Sequence, residues 1–289
     1  MPDLIITGVP RSGTSLAAAI IDQAQGCLCL SEPETHLELM LNAPSVEDFV
    51  ARIGQDFDVI RQNVVGGNSV LDRRSEDGAP VTNYFTDPGP DGQRKTGYTI
   101  GPITRPGLPA DFVLGVKHVA LYAAALPQIV QSGRYRVVAL VRDPVSLLMS
   151  WQSLDLPISR GRLPAGERFW PELRSLGGAE LELTEKQIRI CDLLFDRFLQ
   201  WANRITILRY EELVADPARL LRAAGIPEPG LPPASAVIKR TPPSPAVRDR
   251  RISFTERVRQ LAAAGELPAI CACYPDYGPG AQAPVERAL

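Results

Sequence analysis

Short apolar runs alternate with helical patterns along most of this sequence. Runs with the length and composition of buried strands lie at 4–7, 112–117, 136–141 and 205–208, and helical patterns lie between and after them. The run at 136–141 is almost continuously apolar, which is typical of a strand in a parallel sheet covered on both faces. Strands that alternate with helices predict an α/β fold, a doubly wound parallel sheet with helices on both faces.

Three helices are predicted from composition, periodicity and stop signals. An Ala-rich helix is expected over 16–24, a second near 121–131 and a third over 211–224. Gly225 and Pro227 are expected to end the third helix. A proline-rich loop is predicted from 227 to 245.

Capping signals predict two more helices. Asp143 and Pro144 have the order of an N-cap and a first helical residue, so a helix should run through Ser150. Thr184 and Gln187 have the spacing of a capping box. They introduce one apolar helical stripe, made of Ile188, Cys191, Phe195, Phe198 and Ala202. We expect this second helix to be structural.

One domain spanning 1–289 is expected, since 289 residues with 45% hydrophobic content can bury a single large core. The stretch from about 51 to 111 is rich in Gly, Pro, Asp and Asn and is clearly periodic only at its start. It predicts long loops on the substrate side, or a lid. Its polar part from Asn63 to Gly107, with Tyr84, Phe85 and Tyr98, is expected to shape a substrate pocket.

Composition excludes several classes of partner. A net charge of −2 does not favour a nucleic-acid polymer or an anionic membrane surface. No apolar stretch reaches the length of a membrane span, and a strand-like run begins at Leu4 without the basic lead of a signal peptide. Five cysteines without metal-site spacing suggest free thiols and no metal. These features predict a cytoplasmic protein.

The strongest local signal is a glycine-bearing loop between the first strand and the first helix. Residues 8–15 read Gly-Val-Pro-Arg-Ser-Gly-Thr-Ser, with the glycine spacing of a phosphate loop, so the fold is expected to be P-loop-like. Thr14 stands where a nucleoside-triphosphate enzyme has lysine, and the cation of the loop is Arg11. The loop therefore predicts a site for a donor with a shorter anionic tail that needs no metal.

The string Pro-Arg-Ser-Gly-Thr-Ser at 10–15 resembles the 5′-phosphosulfate loop of sulfotransferases that use 3′-phosphoadenosine 5′-phosphosulfate (PAPS). The resemblance implies PAPS as co-substrate. It also implies that the donor's 5′-phosphate and sulfate are held by Arg11, Ser12, Gly13, Thr14 and Ser15.

Two further segments resemble that family in the same order along the chain. Arg142, at the end of the run 136–141, precedes Ser150 by eight residues, as in the family's 3′-phosphate motif. Tyr210, in the string Leu-Arg-Tyr-Glu-Glu-Leu, would then lie against the adenine. The Gly-x-x-Gly-x-Trp segment of the small-molecule branch is absent, and the sequence from Ser235 through Arg248 resembles instead the tyrosylprotein branch. By that likeness Arg248 would reach the 3′-phosphate.

Sulfuryl transfer needs a base for the acceptor's proton and a cation on the leaving side. Glu32, just past the first helix, is the first candidate base, since its spacing from Arg11 resembles that of the catalytic acid in tyrosylprotein and some bacterial sulfotransferases. His118 is the second. Lys117 would polarise the donor's bridging oxygen. His36 is a third candidate for which a surface or capping role is expected.

The resemblance thus implies an enzyme that moves a sulfuryl group from PAPS to a hydroxyl or amine. The acceptor is open among sugars, lipids, phenols, tyrosyl peptides and secondary metabolites. Two alternatives stay open as well: a P-loop kinase or hydrolase with Asp143 as magnesium ligand, and a non-catalytic nucleotide-binding protein.

Overall fold

A computed structural model describes residues 3–85, 97–227 and 245–281, with the side chains of 245–248 excepted. Its strands are β1 (Asp3–Gly8), β2 (Cys27–Ser31), β3 (Val70–Arg74), β4 (Thr99–Ile103), β5 (Val113–Lys117), β6 (Tyr135–Val141) and β7 (Thr206–Arg209). Five of them form a parallel sheet in the order β2-β5-β1-β6-β7. All four sequence-predicted strands lie in this sheet, and β1 is its centre.

Helices cover both faces of the sheet, as predicted. Alternate residues of β1 point to opposite faces, so Ile5 belongs to one hydrophobic cluster while Leu4 and Ile6 belong to the other. The helices, in chain order, are α1 (Thr14–Gln23), α2 (Glu34–Asn42), α3 (Val46–Val65), α4 (Ala120–Ala124), α5 (Leu126–Gln131), α6 (Pro144–Trp151), α7 (Pro164–Glu167), α8 (Pro171–Gly178), α9 (Leu183–Leu199), α10 (Tyr210–Ala215), α11 (Ala218–Ala224), α12 (Pro245–Ala263) and α13 (Pro268–Cys273). The Leu4 face is covered by α1, α10 and α11, and the Ile5 face by much of the remaining helical structure.

Two predicted helices are each divided in two. The segment 121–131 forms α4 and α5 with a break at Ala125, and 211–224 forms α10 and α11 with a break at Asp216 and Pro217. At the second break, Pro217 has no N–H to donate to the preceding turn, so α10 ends and a new helix begins after the proline. Gly225 ends α11 in the left-handed conformation, with φ 69°, as predicted. Residues 228–244 of the predicted proline-rich loop lie outside the described residues.

The predicted capping box at Thr184 is wrong. The N-cap of α9 is Glu182, whose carboxylate accepts hydrogen bonds from the backbone N–H of Thr184 and Glu185, both at 3.0 Å. Gln187 is buried and donates to the carbonyl of Ile158 at 2.9 Å. The predicted stripe is buried except for Ala202, which lies beyond the helix end and is exposed. By contrast, Asp143 caps α6 as expected, accepting from Ser146 N at 2.8 Å.

The stretch 51–111 is more regular than the predicted loops. It contains most of α3, and its later part holds β3 and β4, which pair as an antiparallel two-stranded sheet. This β3–β4 unit is fastened to the edge strand β2, because Asp72 accepts from Ser31 N at 2.7 Å. The insertion therefore places rigid structure beside the carboxyl end of the central sheet.

Within the described part of the chain, no helix has both the length and the apolarity needed to cross a membrane. The five cysteines are free thiols; Cys27, Cys29 and Cys191 are buried and Cys271 and Cys273 half-buried.

Candidate functional site

The glycine-bearing loop connects the central strand β1 to α1 and is fixed from the β6 side. Val9 N donates to Leu140 O at 3.0 Å, and the Trp151 indole donates to Pro10 O at 2.8 Å. Gly8 is required for this approach, since a Cβ there would lie 2.4 Å from Leu140 O. The sequence thus builds a loop whose backbone is held in place without any ligand.

Arg11 adopts a left-handed backbone conformation, with φ 72°, which is uncommon for a residue with a side chain. Its Nε donates to Ser150 Oγ at 3.1 Å and its Nη2 to Asn83 Oδ1 at 3.0 Å. The guanidinium also lies 5.3 Å from the centre of the Phe85 ring. Strained backbone at a loop arginine, held by partners from two other segments, is typical of a binding site.

The start of α1 has the features of an anion cradle. Gly13, the N-cap, has φ 92° and offers no side-chain cap, so the first N–H groups of the helix keep their capacity to bind an anion. A Cβ at Gly13 would lie 2.5 Å from the Tyr210 ring. Ser12 Oγ is buried and has no hydrogen-bond partner among the described residues. These features fit the phosphosulfate end of a PAPS-like donor.

Arg142 leaves the end of β6 beside this cradle. Its guanidinium lies 4.4 Å from the centre of the Tyr210 ring and donates to Arg11 O at 3.2 Å. No carboxylate of the described residues lies within ion-pair distance of Arg142. The neighbouring Asp143 does not line the cleft, and it accepts instead from Ser146, Tyr277 and Arg251. Arg11, Ser150, Arg142 and Tyr210, predicted from three separate segments, therefore lie together.

A cleft of about 960 Å³ extends from the loop past the end of β5. Besides the loop residues, Arg142, Tyr210 and further residues that include the polar side chains of Gln23, Thr82, Asn83 and Asp155, three groups of side chains line it. One is polar and charged (Glu32, Arg73, Lys117, His118), one aromatic (Tyr84, Phe85, Tyr98) and one apolar (Leu156, Pro157, Ile158, Leu163, Pro164, Ala165).

Glu32 lies between two cations. Its Oε1 accepts from Lys117 Nζ at 2.6 Å and its Oε2 from Arg73 Nη1 at 2.9 Å. Glu32 is also left-handed, with φ 51°, and its N–H donates to Lys117 O at 2.8 Å. Burial by itself raises the pKa of Glu32, but Lys117, His118 and Arg73 outweigh it and lower this pKa to about 2. The carboxylate is therefore ionised across the physiological range.

Lys117 is almost fully buried, with 2% of its side chain exposed. Burial lowers the pKa of Lys117, but the Glu32 carboxylate and Tyr84 together outweigh burial, so the net change is upward and Lys117 stays charged. Its Nζ lies 4.2 Å from the centre of the Tyr84 ring. The two residues predicted as base and as polarising cation are thus paired with each other in the absence of a donor.

His118 follows at the end of β5 and lines the same cleft. Burial, together with the positive charge of Lys117, lowers the pKa of His118 to about 4, although Glu32 opposes this change. Its Nδ1 is buried and without a partner among the described residues. His118 is therefore neutral near pH 7 and can accept a proton.

His36 does not have the predicted surface or capping role. It is fully buried, where Nε2 lies 2.9 Å from Asp56 Oδ2 and Nδ1 is hydrogen-bonded to the Tyr122 hydroxyl. His36 lies in the polar first turn of α2, and the sequence there gives no sign that the side chain is buried. Arg248, the last predicted contact, lies on α12 with a side chain outside the described set.

Arg73 and Asn83 are the residues that sequence reasoning missed. The Arg73 guanidinium lies beside two neighbouring aromatic rings, 5.5 Å from the centre of Tyr84 and 5.0 Å from that of Tyr98. Both residues belong to the stretch 51–111, whose composition predicted loops rather than named contacts. The only usable signal was the cluster of aromatic residues in the same stretch.

Among the described residues, no group of three or more His, Cys, Asp or Glu side chains could hold a metal ion.

Comparisons with known proteins give structural neighbours alone. No family model matches the sequence, and no curated protein matches it either. A sulfotransferase from Alicyclobacillus acidocaldarius is 14% identical, with coverage of 94% of this chain and 95% of that one and a TM-score of 0.45. A Mycobacterium avium sulfotransferase is 16% identical over 95% and 76% of the two chains, with a TM-score of 0.41. A Mycobacterium tuberculosis sulfotransferase is 11% identical over 87% and 71%, with a TM-score of 0.37. At such identities and TM-scores similarity does not identify an activity, which has to be inferred from the residues of the cleft.

Proposed function

We propose that this protein is a sulfotransferase that moves the sulfuryl group of PAPS to the hydroxyl or amine of an acceptor. The observation that carries the proposal is a phosphate loop without lysine, which contains Arg11 and lies beside Arg142, and which opens into the same cleft as the Glu32–Lys117 pair. In the reaction the acceptor oxygen or nitrogen bonds to sulfur, and the bond from sulfur to the bridging oxygen breaks. The acceptor proton goes to a base, and 3′-phosphoadenosine 5′-phosphate (PAP) leaves.

The donor end of the cleft supports this assignment. The N-terminus of α1 and Arg11 would hold the 5′-phosphosulfate, whereas Ser12 is fully buried and does not line the cleft. Arg142 and Ser150 would hold the 3′-phosphate, and the Tyr210 ring would lie along the adenine. The motif resemblance of all three segments points to the same placement.

The acceptor end supports a transfer reaction. Glu32 and His118 are both in proton-accepting forms near pH 7 and both line the cleft. Lys117 is charged and reaches Glu32 at present, so donor binding would have to draw its ammonium toward the bridging oxygen. That exchange would also free one oxygen of Glu32 for the acceptor's proton.

The alternatives have less support. A magnesium-dependent kinase would use Asp143, but this carboxylate caps α6, accepts from Tyr277 at 2.6 Å and does not line the cleft. A purely nucleotide-binding protein would not need a buried lysine and glutamate beside its nucleotide site.

Isothermal calorimetry in EDTA tests the proposal. PAP should bind more tightly than ATP, without divalent metal, because the loop lacks the lysine that serves a γ-phosphate. Arg142→Ala should weaken PAP binding by roughly 1.5–3 kcal/mol, the value of a charged hydrogen bond, and leave adenosine 5′-phosphosulfate nearly unaffected. Arg52→Ala, which removes an exposed guanidinium on α3, is the matched control.

Tighter, magnesium-dependent binding of ATP would refute the sulfotransferase assignment. Equal losses for the two nucleotides in Arg142→Ala would instead give Arg142 a structural role.

A further inference from the structure

Two sets of side chains without charge surround the acceptor end of the cleft. The first, which we call the apolar wall, consists of Leu156, Pro157, Ile158, Leu163, Pro164 and Ala165. The second is aromatic and consists of Tyr84, Phe85 and Tyr98. Both sets line the same cavity as the candidate bases, so a group bound there would have apolar neighbours beside its reacting atom.

The position of both sets relative to the reacting groups follows from contacts. Tyr84 lies over Lys117, and Phe85 lies against Arg11 of the donor loop. At the other set, α7 packs so closely on Ala120, two residues past His118, that a Cβ on Gly166 would lie 3.1 Å from Ala120 O. The aromatic set thus spans from the loop to Lys117, and the apolar wall adjoins the His118 side.

The apolar wall is formed in advance of any ligand. Gln187 donates to Ile158 O at 2.9 Å from α9, and Leu163 N donates to Glu167 Oε1 at 2.7 Å. Glu167 is itself paired with Arg162. Because these polar groups serve the backbone of the wall, they are not available to an acceptor.

The charges at this end are already paired with one another. Lys117 and Arg73 both donate to Glu32, and Asp155 at the rim is paired with Arg160. An ionised acceptor would therefore enter without a counter-ion.

Of the polar lining residues, Asn83 already accepts from Arg11 Nη2 and Phe85 N through its Oδ1. Against the apolar wall, a polyol would lose its bonds to water without replacement, at a cost for each hydroxyl buried without a partner.

We infer that the acceptor is an uncharged small molecule whose reacting hydroxyl is attached to an apolar ring skeleton. The inference rests on the proposed function and assigns the chemical class of its second substrate. The ring skeleton lies between the apolar wall and the aromatic set, and the hydroxyl points to Glu32, Lys117 and His118. Binding comes from burial of apolar surface, and orientation from this single polar group.

Three probes test the acceptor class: 2-naphthol, methyl glucoside and a short uncharged peptide with one tyrosine. Binding of each is measured by calorimetry with and without saturating PAP, and sulfation is measured with PAPS. We expect 2-naphthol to bind and react at least about tenfold better than either other probe, because even one methylene in an apolar pocket changes specificity by about that factor. A preference for the glucoside or for the peptide overturns the inference.

A matched pair of variants locates the site. Leu156→Asn places an amide in the apolar wall at a half-buried position and should weaken 2-naphthol at least about tenfold with PAP affinity unchanged. Leu41→Asn makes the same change at a leucine that is 59% exposed on α2, away from the cleft, and should change neither 2-naphthol binding nor PAP affinity. Normal 2-naphthol binding in Leu156→Asn overturns the inference.

The two proposals fail separately. If PAP does not bind, the sulfotransferase assignment is lost, while 2-naphthol binding in the absence of PAP still tests the apolar site. If PAP binds and 2-naphthol does not, only the acceptor class is wrong.

Discussion

At the scale of single residues, Glu32 combines a strained backbone with two cationic partners. A left-handed φ at a glutamate persists only where the surroundings fix it, and here Lys117 fixes both its N–H and its carboxylate. An ionised carboxylate with so low a pKa is a weak base. The residue therefore becomes a better base only when one of its cations leaves.

Substitution of each candidate base separates their roles. Glu32→Gln keeps the size of the side chain but cannot accept the proton, so turnover should fall by roughly 10²–10⁴ while PAP affinity barely changes. If His118 is the base, His118→Asn should give the large fall instead. Near-normal turnover of Glu32→Gln would exclude our first candidate.

The pH profile follows from the sign of both pKa changes. Glu32 is ionised, and so able to accept a proton, above its lowered pKa of about 2; His118 is neutral, and so able to accept one, above its lowered pKa of about 4. Whichever residue acts, kcat/KM should stay flat on the acid side down to about pH 5. A fall of kcat/KM in the ordinary pKa range of histidine would mean that neither Glu32 nor His118 acts as the base with its lowered pKa.

Arg73 contributes, after Lys117 and His118, to the lowered pKa of Glu32. Arg73→Gln removes the cation from Oε2 and should move the acid limb of kcat/KM to higher pH by about one pH unit, because a carboxylate that loses an opposite charge is protonated more easily. Lys117, His118 and Tyr84 remain around the carboxylate. Arg105→Gln, an arginine paired with Asp22 and not with Glu32, is the control and should leave the limb in place. An unmoved limb in Arg73→Gln would mean that Arg73 only supports the structure.

At the scale of elements, the β3–β4 unit brings Arg73 to the site because alternate residues of β3 face opposite ways. Asp72 and Arg74 point inward and pair at 2.8 Å, and Arg74 also reaches Asp22 on α1 at 2.7 Å. Burial raises the pKa of Asp72 to about 6, even with Arg74 beside it. This buried ion group is what fastens the insertion to the sheet.

Loss of Arg74 should therefore destabilise the protein. Arg74→Ala leaves Asp22 and Asp72 buried without their main cation, which should lower the free energy of unfolding by about 3–5 kcal/mol. Arg105→Ala removes a half-exposed partner of the same Asp22 and should cost at most about 1 kcal/mol. Urea denaturation measures both; similar small losses would show that the ion group is dispensable.

Four of the five strands of the central sheet could be predicted from sequence, while β2 and the strands of the insertion were not predicted. Continuous apolar runs mark strands that are buried on both faces, and all four predicted runs were confirmed. In β3 the buried positions are Val70, Asp72 and Arg74, and because two of the three are charged, the strand gives no apolar signal. The N-cap of α9 was predicted at Thr184, but Glu182 caps the helix instead. Which of the two residues does so depends on the backbone geometry at the helix start.

The candidate site was predicted in part for the same reason. Arg11, Arg142 and Tyr210 follow strands of one parallel sheet, so their meeting follows from the fold. The pairing of Glu32 with Lys117 comes from β2 and β5 being neighbours, which was not predicted because β2 itself was not. Arg73 and Asn83 come from the insertion, whose docking depends on buried charges rather than on a periodic pattern.

At the scale of the whole molecule, residues near the described end of the chain support the region around Arg142 and Tyr210. The Tyr274 hydroxyl donates to Glu211 at 2.9 Å and that of Tyr277 to Asp143 at 2.6 Å. Glu211 in turn accepts from Asp143 N at 3.1 Å. Asp143 and Glu211 adjoin Arg142 and Tyr210, so two distant tyrosines help to hold the guanidinium against its aromatic ring.

Removal of these hydroxyls should loosen the nucleotide site. Tyr274→Phe with Tyr277→Phe should weaken PAP binding by about 1–3 kcal/mol, because two carboxylates lose a donor each while the rings stay packed. Adenosine 5′-phosphosulfate should be affected less, since Arg142 serves the 3′-phosphate. Tyr135→Phe, which removes a hydroxyl far from this network, should change neither affinity. Unchanged PAP affinity in the double variant would show that Arg142 is positioned without the tyrosines.

The same contacts set an order of events during synthesis. The glycine-bearing loop leaves the ribosome first, and Arg142 and Tyr210 follow. Tyr274 and Tyr277, whose hydroxyls donate to Glu211 and Asp143, come more than sixty residues after Tyr210. A nascent chain can thus form most of the sheet while its nucleotide site is still incomplete. On the proposed function, the donor site would reach its full affinity only when the chain has grown past Tyr277.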